Sequence, residues 1–145
     1  MTDLDNAIIL AVQAHSGQVD KAGAPYILHP LRVMLACVTE AEKIAAVLHD
    51  TVEDTGLELG LIRHRFGAAV ANAVDALTKR AGESYTSFIR RCALDPIARK
   101  VKLADLNDNM RLERLGREPT IEDLRRHDKY GEAKNHLLQV ELGND

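Results

Sequence analysis

The sequence is poor in aromatic residues, in positive charge and in long apolar runs. Among 145 residues it has three Tyr, two Phe and no Trp, and its formal net charge is −3. Surfaces that bind nucleic-acid polymers usually carry clustered positive charge and aromatic platforms, so the composition argues against a nucleic-acid partner. No apolar run approaches the roughly 18 residues of a membrane span, which argues against a membrane partner. An anionic ligand would therefore be held locally, by a metal or by a few Lys and Arg side chains.

Cysteine is also scarce, and its placement bears on the cellular compartment. Cys37 and Cys92 lie in helix-like segments without CxxC spacing, which is typical of reduced buried thiols rather than of a disulfide or a zinc site. The first residues, MTDLDNAIILAVQAH, begin acidic and lack the basic region and cleavage site of a secretory signal. We therefore expect a cytoplasmic protein.

Apolar residues recur at helical spacing along nearly the whole chain, and no alternating strand pattern stands out. The length and the 46% hydrophobic content are enough for one compact domain over residues 1–145. Thr39 with Glu42, and Thr120 with Asp123, have the spacing of capping boxes at helix starts. The sequence thus predicts an all-α fold, with helices near 3–16, 30–37, 40–54, 57–65, 67–79, 84–93, 96–112 and 120–141.

An irregular stretch near the N-terminus is a candidate for function, whereas the last predicted helix is not. SGQVDKAGAPYILH, residues 16–29, is the one long irregular stretch, and loops of this kind often carry function. The last predicted helix mixes both charge signs around an apolar seam, which is typical of a solvated packing helix. Its His127 and His136 are therefore interpreted as structural.

The segment AVLHDTVEDT, residues 46–55, places a histidine and three carboxylates directly after an apolar run. His49 and Glu53 are four positions apart. Asp50 and Asp54 share that spacing, so on one continuous helix the side chains would form two adjacent rows. Buried carboxylates are costly unless they are paired or bound to a cation, and acidic groups at a helix C-terminus oppose its dipole. The pattern favours a divalent metal over an ordinary exposed helix end.

Two adjacent ligands cannot complete a coordination sphere, so other segments must contribute. His29 directly precedes Pro30 in the irregular stretch, and Asp105 lies within an apolar series in VKLADLNDNM. Each of them alone is more typical of a hydrogen-bonded cap or a surface residue. Together with His49 and Asp50 they would complete a set of two histidines and two aspartates.

Three blocks of the sequence, HSGQVDKAGAPYILHP, AVLHDTVEDT and VKLADLNDNM, stand in this order. They resemble the signature blocks of the HD superfamily, and specifically those of the hydrolase domain of RelA/SpoT-type alarmone enzymes and their small single-domain relatives. The resemblance covers residues 14 to about 111. It implies a compact helical bundle of about seven to eight helices and removal of pyrophosphate from the 3′ position of guanosine tetraphosphate (ppGpp), a small-molecule nucleotide substrate.

The resemblance also implies roles for individual residues. One divalent metal, usually manganese, would be bound by His29, His49, Asp50 and Asp105. Glu53 and Asp54 would orient and activate the attacking water, and Lys21 and Asn109 would contact the substrate. A mixed set of nitrogen and oxygen ligands suits manganese better than it suits a metal that prefers thiolate ligands.

The sequence departs from the pattern of these relatives at two places. Relatives usually carry Arg-Lys after the GQ motif, and that Arg recognises the guanine base, whereas this chain has Asp20-Lys21. An acidic side chain cannot stack as a guanidinium does, and it repels a polyphosphate. The third block has Leu, Asn and Asp where relatives have Arg, Leu and His, at Leu106, Asn107 and Asp108. The sequence thus predicts an intact metal site beside an altered substrate pocket.

Three functions stay open on this basis. The first is a ppGpp 3′-pyrophosphohydrolase, the second a nucleotidase or phosphodiesterase for another nucleotide, and the third a non-catalytic nucleotide-binding module that keeps the metal for stability. His15 is interpreted as a group that supports a ligand, and Tyr26 as a packing residue. No feature of the sequence indicates the oligomeric state.

Overall fold

A computed structural model describes residues 1–143, and in that range the chain forms α-helices, one 3₁₀ helix and no strand. The α-helices are α1 (Asp3–Ala14), α2 (Leu28–Leu35), α3 (Glu40–Leu48), α4 (Thr51–Thr55), α5 (Leu59–Phe66), α6 (Ala68–Ala76), α7 (Tyr85–Leu94), α8 (Pro96–Asn109) and α9 (Ile121–Glu141). The 3₁₀ helix, Leu112–Leu115, joins α8 to α9. The predicted all-α class is confirmed.

Within residues 1–143 capping boxes start α1, α3 and α9, and the sequence predicts those at α3 and α9. At α3 the Thr39 hydroxyl accepts from the Glu42 N–H at 3.1 Å, and the Glu42 carboxylate accepts from the Thr39 N–H at 3.3 Å. At α9 the Thr120 hydroxyl accepts from the Asp123 N–H at 3.2 Å, and the return bond measures 2.8 Å. These bonds satisfy N–H groups that a helix start leaves free, which fixes both boundaries.

Helix α3 is the central element of the fold. Its residues 44–48 are all buried, and it packs against α1, α2, α6 and α8. A helix that is apolar on every face must be enclosed by others, and this run of Ile, Ala, Val and Leu meets that condition. The C-terminal end of α3 therefore delivers the next residue, His49, into the interior between α2 and α8.

The predicted continuous helix over 40–54 is wrong at its centre. The chain leaves helical geometry at Asp50, with φ −100° and ψ −2°, so that α3 and α4 are separate. The Thr51 hydroxyl donates to the Leu48 carbonyl at 2.8 Å, and His49 Nδ1 donates to the Ala46 carbonyl at 2.6 Å. Side chains that bind backbone carbonyls in this way compete with the helical hydrogen bonds. The two rows of side chains expected on one helix are consequently not formed.

The cysteine prediction is confirmed, because Cys37 and Cys92 are both buried and free. The boundary between α8 and α9 differs from prediction, since α8 ends at Asn109 rather than near residue 112. Within residues 1–143 no helix is both long enough and apolar enough to cross a membrane.

An ion pair between Glu83 and Arg91 fixes the segment between α6 and α7. Arg91 donates to both carboxylate oxygens of Glu83, at 2.8 and 2.9 Å, and to the carbonyls of Asp75 and Thr78. The hydrogen bonds from Arg91 lower the pKa of Glu83 from 4.5 to about 2. A carboxylate with a depressed pKa contributes stability above its unfolded pKa, and that contribution is lost as the pH falls through its folded pKa.

We expect Glu83→Gln to lower the melting temperature at pH 7, and the difference from wild type to narrow between pH 4.5 and about 2. Circular dichroism melts over this pH range would measure the effect. Glu118→Gln, at an exposed position, is the control and should match wild type. A difference between Glu83→Gln and wild type that stayed constant with pH would contradict the assignment.

Candidate metal centre

Side chains from three separate helical regions converge at one point in the interior. His29 comes from α2, His49 follows α3, and Asp105 comes from α8; among the described residues they form a group whose ligand atoms lie within 4.8 Å of one another. Asp105 Oδ1 is 2.9 Å from His29 Nε2 and 3.3 Å from His49 Nε2. All three residues are at most 4% exposed. A single cation between these atoms could replace the direct contacts of Asp105 with the two imidazoles.

Asp50, the fourth predicted ligand, borders the same space from the more exposed side. Its Oδ2 lies 3.1 Å from His49 Nε2 and 3.8 Å from His29 Nε2. The helix break at this residue lets it and His49 turn towards one point, which side chains one position apart on a regular helix would not do. The structure therefore groups three of the predicted ligands, His29, His49 and Asp105, and places Asp50 within 3.8 Å of both imidazoles without including it in that group.

The carboxylates and imidazoles of the centre shift one another's pKa values strongly. Burial opposes ionisation of Asp105, but the Lys102 ammonium at 2.8 Å and the two imidazoles hold its pKa well below the usual value. Burial likewise lowers the pKa of His49, but the Asp50 charge and the hydrogen bond to Asp105 outweigh it and raise the pKa well above the usual value. The carboxylates are therefore ionised and ready to bind a divalent cation, whereas the imidazoles hold protons that such a cation would displace on binding.

The outer nitrogens of both imidazoles have acceptors that orient the rings. His49 Nδ1 lies 2.6 Å from the Ala46 carbonyl, and His29 Nδ1 lies 2.6 Å from Asp108 Oδ2. A histidine that donates its Nδ1 proton outward presents Nε2 as a metal ligand. Two imidazole nitrogens and two carboxylates, oriented in this way, fit a divalent cation that accepts nitrogen and oxygen ligands.

Glu53 and Asp54, the predicted water-activating pair, lie on the short helix α4, and both are exposed. Partial burial and the neighbouring charges of Asp54 and Asp50 raise the pKa of Glu53. Partial burial and the Asp50 charge also raise the pKa of Asp54. The pair therefore forms an acidic edge next to the more exposed side of the centre.

His15 and Tyr26 have more specific contacts than the sequence predicts. Tyr26, interpreted as a packing residue, donates its hydroxyl to Asp50 Oδ2 at 2.5 Å. His15 is buried outside the ligand group, and its Nδ1 lies 2.8 Å from Gln18 Oε1. The His15 and Tyr26 rings lie 5.0 Å apart, so His15 supports the tyrosine that holds Asp50.

A cavity of about 320 Å³ opens beside the centre. It is lined by Val19, Asp20, Lys21, Tyr26, Asn109, Arg111, Leu112, Arg114, Leu115, Asp123, Arg126, His127 and Tyr130. Both predicted substrate residues, Lys21 and Asn109, are among them. Asn109 Nδ2 also donates to Asp105 Oδ1 at 3.1 Å, which joins the cavity to the metal centre.

The sequence interpretation missed the contribution of α9 to this cavity. Arg126, His127 and Tyr130 line it, so His127, which the sequence interpretation treats as structural, lies at the cavity wall. Tyr130 lies four positions after Arg126 and three after His127, the spacing that places side chains on one helix face. That polar and aromatic face was the available signal, but its partner surface depends on long-range packing.

Of the two places where the sequence predicts an altered pocket, Asp20 lies at the cavity, whereas the segment with Leu106 and Asp108 does not line it. Leu106 is fully buried in the core and Asp108 is buried behind His29, and neither lines the cavity. Asp20 does line it: its Oδ1 accepts two backbone N–H groups of its own loop, and its Oδ2 lies 3.9 Å from Arg114 Nη2. The negative charge of Asp20 is thus offset by an arginine on the opposite side.

Comparison with known proteins places these residues in a wider context. The family model described as HD domain matches residues 7–127. The chain is 38% identical over 125 residues to a probable GTP pyrophosphokinase of Mycobacterium leprae. It is 36% identical over 121 residues to a guanosine-3′,5′-bis(diphosphate) 3′-pyrophosphohydrolase of Aquifex aeolicus, and 33% identical over 125 residues to the bifunctional (p)ppGpp synthase/hydrolase SpoT of Escherichia coli.

These matches include 77%, 75% and 74% of this chain but only 16%, 17% and 18% of the three relatives. The chain therefore spans less than a fifth of the length of the curated relatives it matches. A solved structure of a metazoan ortholog of SpoT, described as hydrolysing ppGpp, superposes with a TM-score of 0.80 at 24% identity. It covers 100% of this chain and 93% of that chain, which establishes a shared fold.

Proposed function

Since this chain belongs to the HD domain family, we propose that it is a metal-dependent phosphohydrolase whose substrate is a nucleotide polyphosphate, with ppGpp as the leading candidate. The observation that carries the proposal is the convergence of His29, His49 and Asp105 beside a cavity lined by basic side chains. Relatives named as ppGpp pyrophosphohydrolases support the choice of substrate. The reaction assigned is removal of pyrophosphate from the 3′ position.

We assign the cation to a set of four ligands, His29, His49, Asp50 and Asp105. Manganese is the proposed ion, because imidazole nitrogen and carboxylate oxygen together suit a borderline to hard cation. When bound, a divalent ion lowers the pKa of water and offsets charge on a phosphoryl group.

Glu53 is the proposed general base. Its raised pKa makes its carboxylate a better proton acceptor than that of an ordinary glutamate, and its exposure lets water reach it. In this assignment Glu53 takes the proton of the attacking water, while Asp54 on the same helical turn orients that water. Tyr26 holds Asp50 in place through its hydroxyl.

The cavity is the proposed site of the rest of the nucleotide. Lys21, Arg111 and Arg126 supply positive charge for phosphate oxygens, and Tyr130 offers an aromatic face for a base. The side-chain amide of Asn109 is fixed at both ends, because its oxygen accepts from Arg114 at 3.1 Å and its nitrogen donates to Asp105. It is therefore preset to contact the substrate next to the cation.

The test of this function is an assay of the purified, Mn²⁺-loaded protein with ppGpp, GTP, GDP and ATP. The expected result is release of pyrophosphate from ppGpp that chelation abolishes and added Mn²⁺ restores. Absence of turnover for every nucleotide, with Mn²⁺ shown to be bound, would count against the proposal.

A second candidate function is hydrolysis of a different nucleotide, and Asp20 is the observation that favours it. Asp20 lies where the resembling enzymes carry an arginine that recognises guanine, and it lines the cavity. If ppGpp is not the natural substrate, Asp20→Arg should raise kcat/KM for ppGpp and lower it for the preferred nucleotide. A stacking guanidinium contributes about 0.5–2 kcal/mol, which corresponds to roughly 2- to 30-fold.

The control for this prediction is Asp20→Asn, which removes the charge but keeps an oxygen to accept the N–H groups of Ala22 and Ala24. A loss common to Asp20→Arg and Asp20→Asn on all nucleotides would reflect loop disorder rather than specificity. Unchanged relative kcat/KM values in Asp20→Arg would contradict the second function.

A further inference from the structure

Behind His29, outside the group of ligands, lies a buried carboxylate that the proposed reaction does not use. Asp108 is at the C-terminal end of α8, its side chain is 7% exposed, and its Oδ2 lies 2.6 Å from Nδ1 of His29. We infer that Asp108 is a positioning residue, which accepts the Nδ1 proton of His29 and so presents Nε2 of that ring to the cation. The inference rests on the metal centre of the proposed function.

The proton on His29 decides which nitrogen can bind a metal. A neutral imidazole carries one N–H, and only the other nitrogen has a lone pair in the ring plane. With the proton held towards Asp108, the free lone pair belongs to Nε2, the atom that lies 2.9 Å from Asp105 Oδ1 within the ligand group. A carboxylate acceptor also makes the ligating nitrogen more basic than a neutral acceptor does.

The two imidazoles of the centre differ in this respect. His49 donates its Nδ1 proton to the Ala46 carbonyl, a neutral acceptor within its own helix. His29 meets a charged acceptor that is 79 positions further along the chain. Asp108 therefore couples α8, which also carries Asp105, to the orientation of a ligand on α2.

Asp108 is itself held in one position by guanidinium groups of three arginines, of which Arg111 is the most distant, with Nη1 at 3.5 Å from Oδ1. Arg32, one turn after His29 on α2, donates from Nε at 2.8 Å and from Nη2 at 3.1 Å. Arg114 approaches from the 3₁₀ helix, with Nη1 at 2.9 Å from Oδ2. Paired charges compensate the burial of a carboxylate, and bidentate contact restricts its rotation. Such a fixed acceptor can orient a ligand, whereas a mobile one cannot.

A competing explanation is that Asp108 only neutralises Arg32 and Arg114. Asp123 provides a matched comparison, because its side chain is 6% exposed and it pairs with Arg117 and Arg126 but contacts none of the four ligands. If arginine pairing is the whole role of Asp108, removing either carboxylate should affect stability and leave metal affinity alone. If Asp108 positions His29, removal of the Asp108 carboxylate should weaken metal binding, and removal of the Asp123 carboxylate should not.

The experiment is titration of the full chain with Mn²⁺ by isothermal calorimetry, for wild type, Asp108→Ala, Asp108→Asn and Asp123→Asn. Loss of an outer carboxylate partner typically costs about 10- to 100-fold in metal affinity, and we expect that loss in Asp108→Ala. Asp108→Asn keeps an oxygen that can accept from Nδ1, so it should lose less. Asp123→Asn should bind Mn²⁺ as wild type does.

A second measurement needs no variant and so does not depend on how well Asp108→Ala folds. With Zn²⁺ as a diamagnetic probe, ¹⁵N NMR of wild type should show His29 protonated at Nδ1 and ligated through Nε2. A His29 ring protonated at Nε2 would overturn the inference, as would an Asp108→Ala affinity within twofold of wild type. Failure of wild type to bind Mn²⁺ would instead overturn the metal centre itself.

Discussion

Asp105→Asn is expected to abolish measurable Mn²⁺ binding and to reduce kcat/KM by about 10³-fold or more. The carboxylate lies within hydrogen-bonding distance of both imidazoles, and it also accepts hydrogen bonds from Lys102 and Asn109. A neutral amide of the same shape loses the negative charge that holds the cation. Metal-derived charge stabilisation supplies several kcal/mol of catalysis, and about 4 kcal/mol corresponds to 10³-fold.

Calorimetric titration with Mn²⁺ and steady-state assays with ppGpp would measure these losses, and circular dichroism would establish that the variant is folded. Asp75→Asn is the control, since Asp75 lies on α6 and its side chain is 46% exposed in a surface pair with Arg80. It should match wild type in both measurements. An Asp105→Asn protein that bound Mn²⁺ normally and turned over substrate would show that the ligand set is wrong.

Much of the centre was accessible from sequence because residue type and spacing carry its chemistry. A histidine and aspartates beside strongly apolar segments are out of place without a partner, and that argument selected His29, His49, Asp50 and Asp105 before any geometry was available. The same local rules predicted the starts of α3 and α9, because a capping box is closed by residues three positions apart. Local chemistry was therefore sufficient for these two helix starts, whose capping partners lie within one turn.

The features that sequence did not predict depend on contacts between distant segments or on competition between hydrogen bonds. Asp108 was interpreted as part of the substrate pocket. Its contact with His29 was not foreseen, because the two residues are 79 positions apart. His127 was assigned to packing because only the approach of α9 to the loop after α1 turns its face into a cavity lining. The break after α3 depends on whether Thr51 bonds a carbonyl or continues the helix, which periodicity does not decide.

Glu53→Gln is expected to lower kcat by about 10²- to 10⁴-fold, the usual contribution of a general base, while leaving Mn²⁺ affinity within a few-fold of wild type. Glu53 is exposed on α4 and lies outside the ligand group, so an amide of the same size should disturb neither the fold nor the cation. Its raised pKa adds a second expectation. Because a base must be ionised to act, kcat/KM of wild type should fall as the pH drops through the raised pKa of Glu53, and this dependence should vanish in the variant.

The same variant separates an enzyme from a non-catalytic nucleotide-binding module. Paired measurements of kcat and of nucleotide binding would be made on wild type, Glu53→Gln and the control Glu58→Gln, which changes an exposed glutamate at the start of α5. In an enzyme Glu53→Gln keeps nucleotide binding and loses turnover, while Glu58→Gln keeps both. If wild type binds nucleotide without turnover and Glu53→Gln behaves identically, the carboxylate has no proton to accept and the centre serves binding alone.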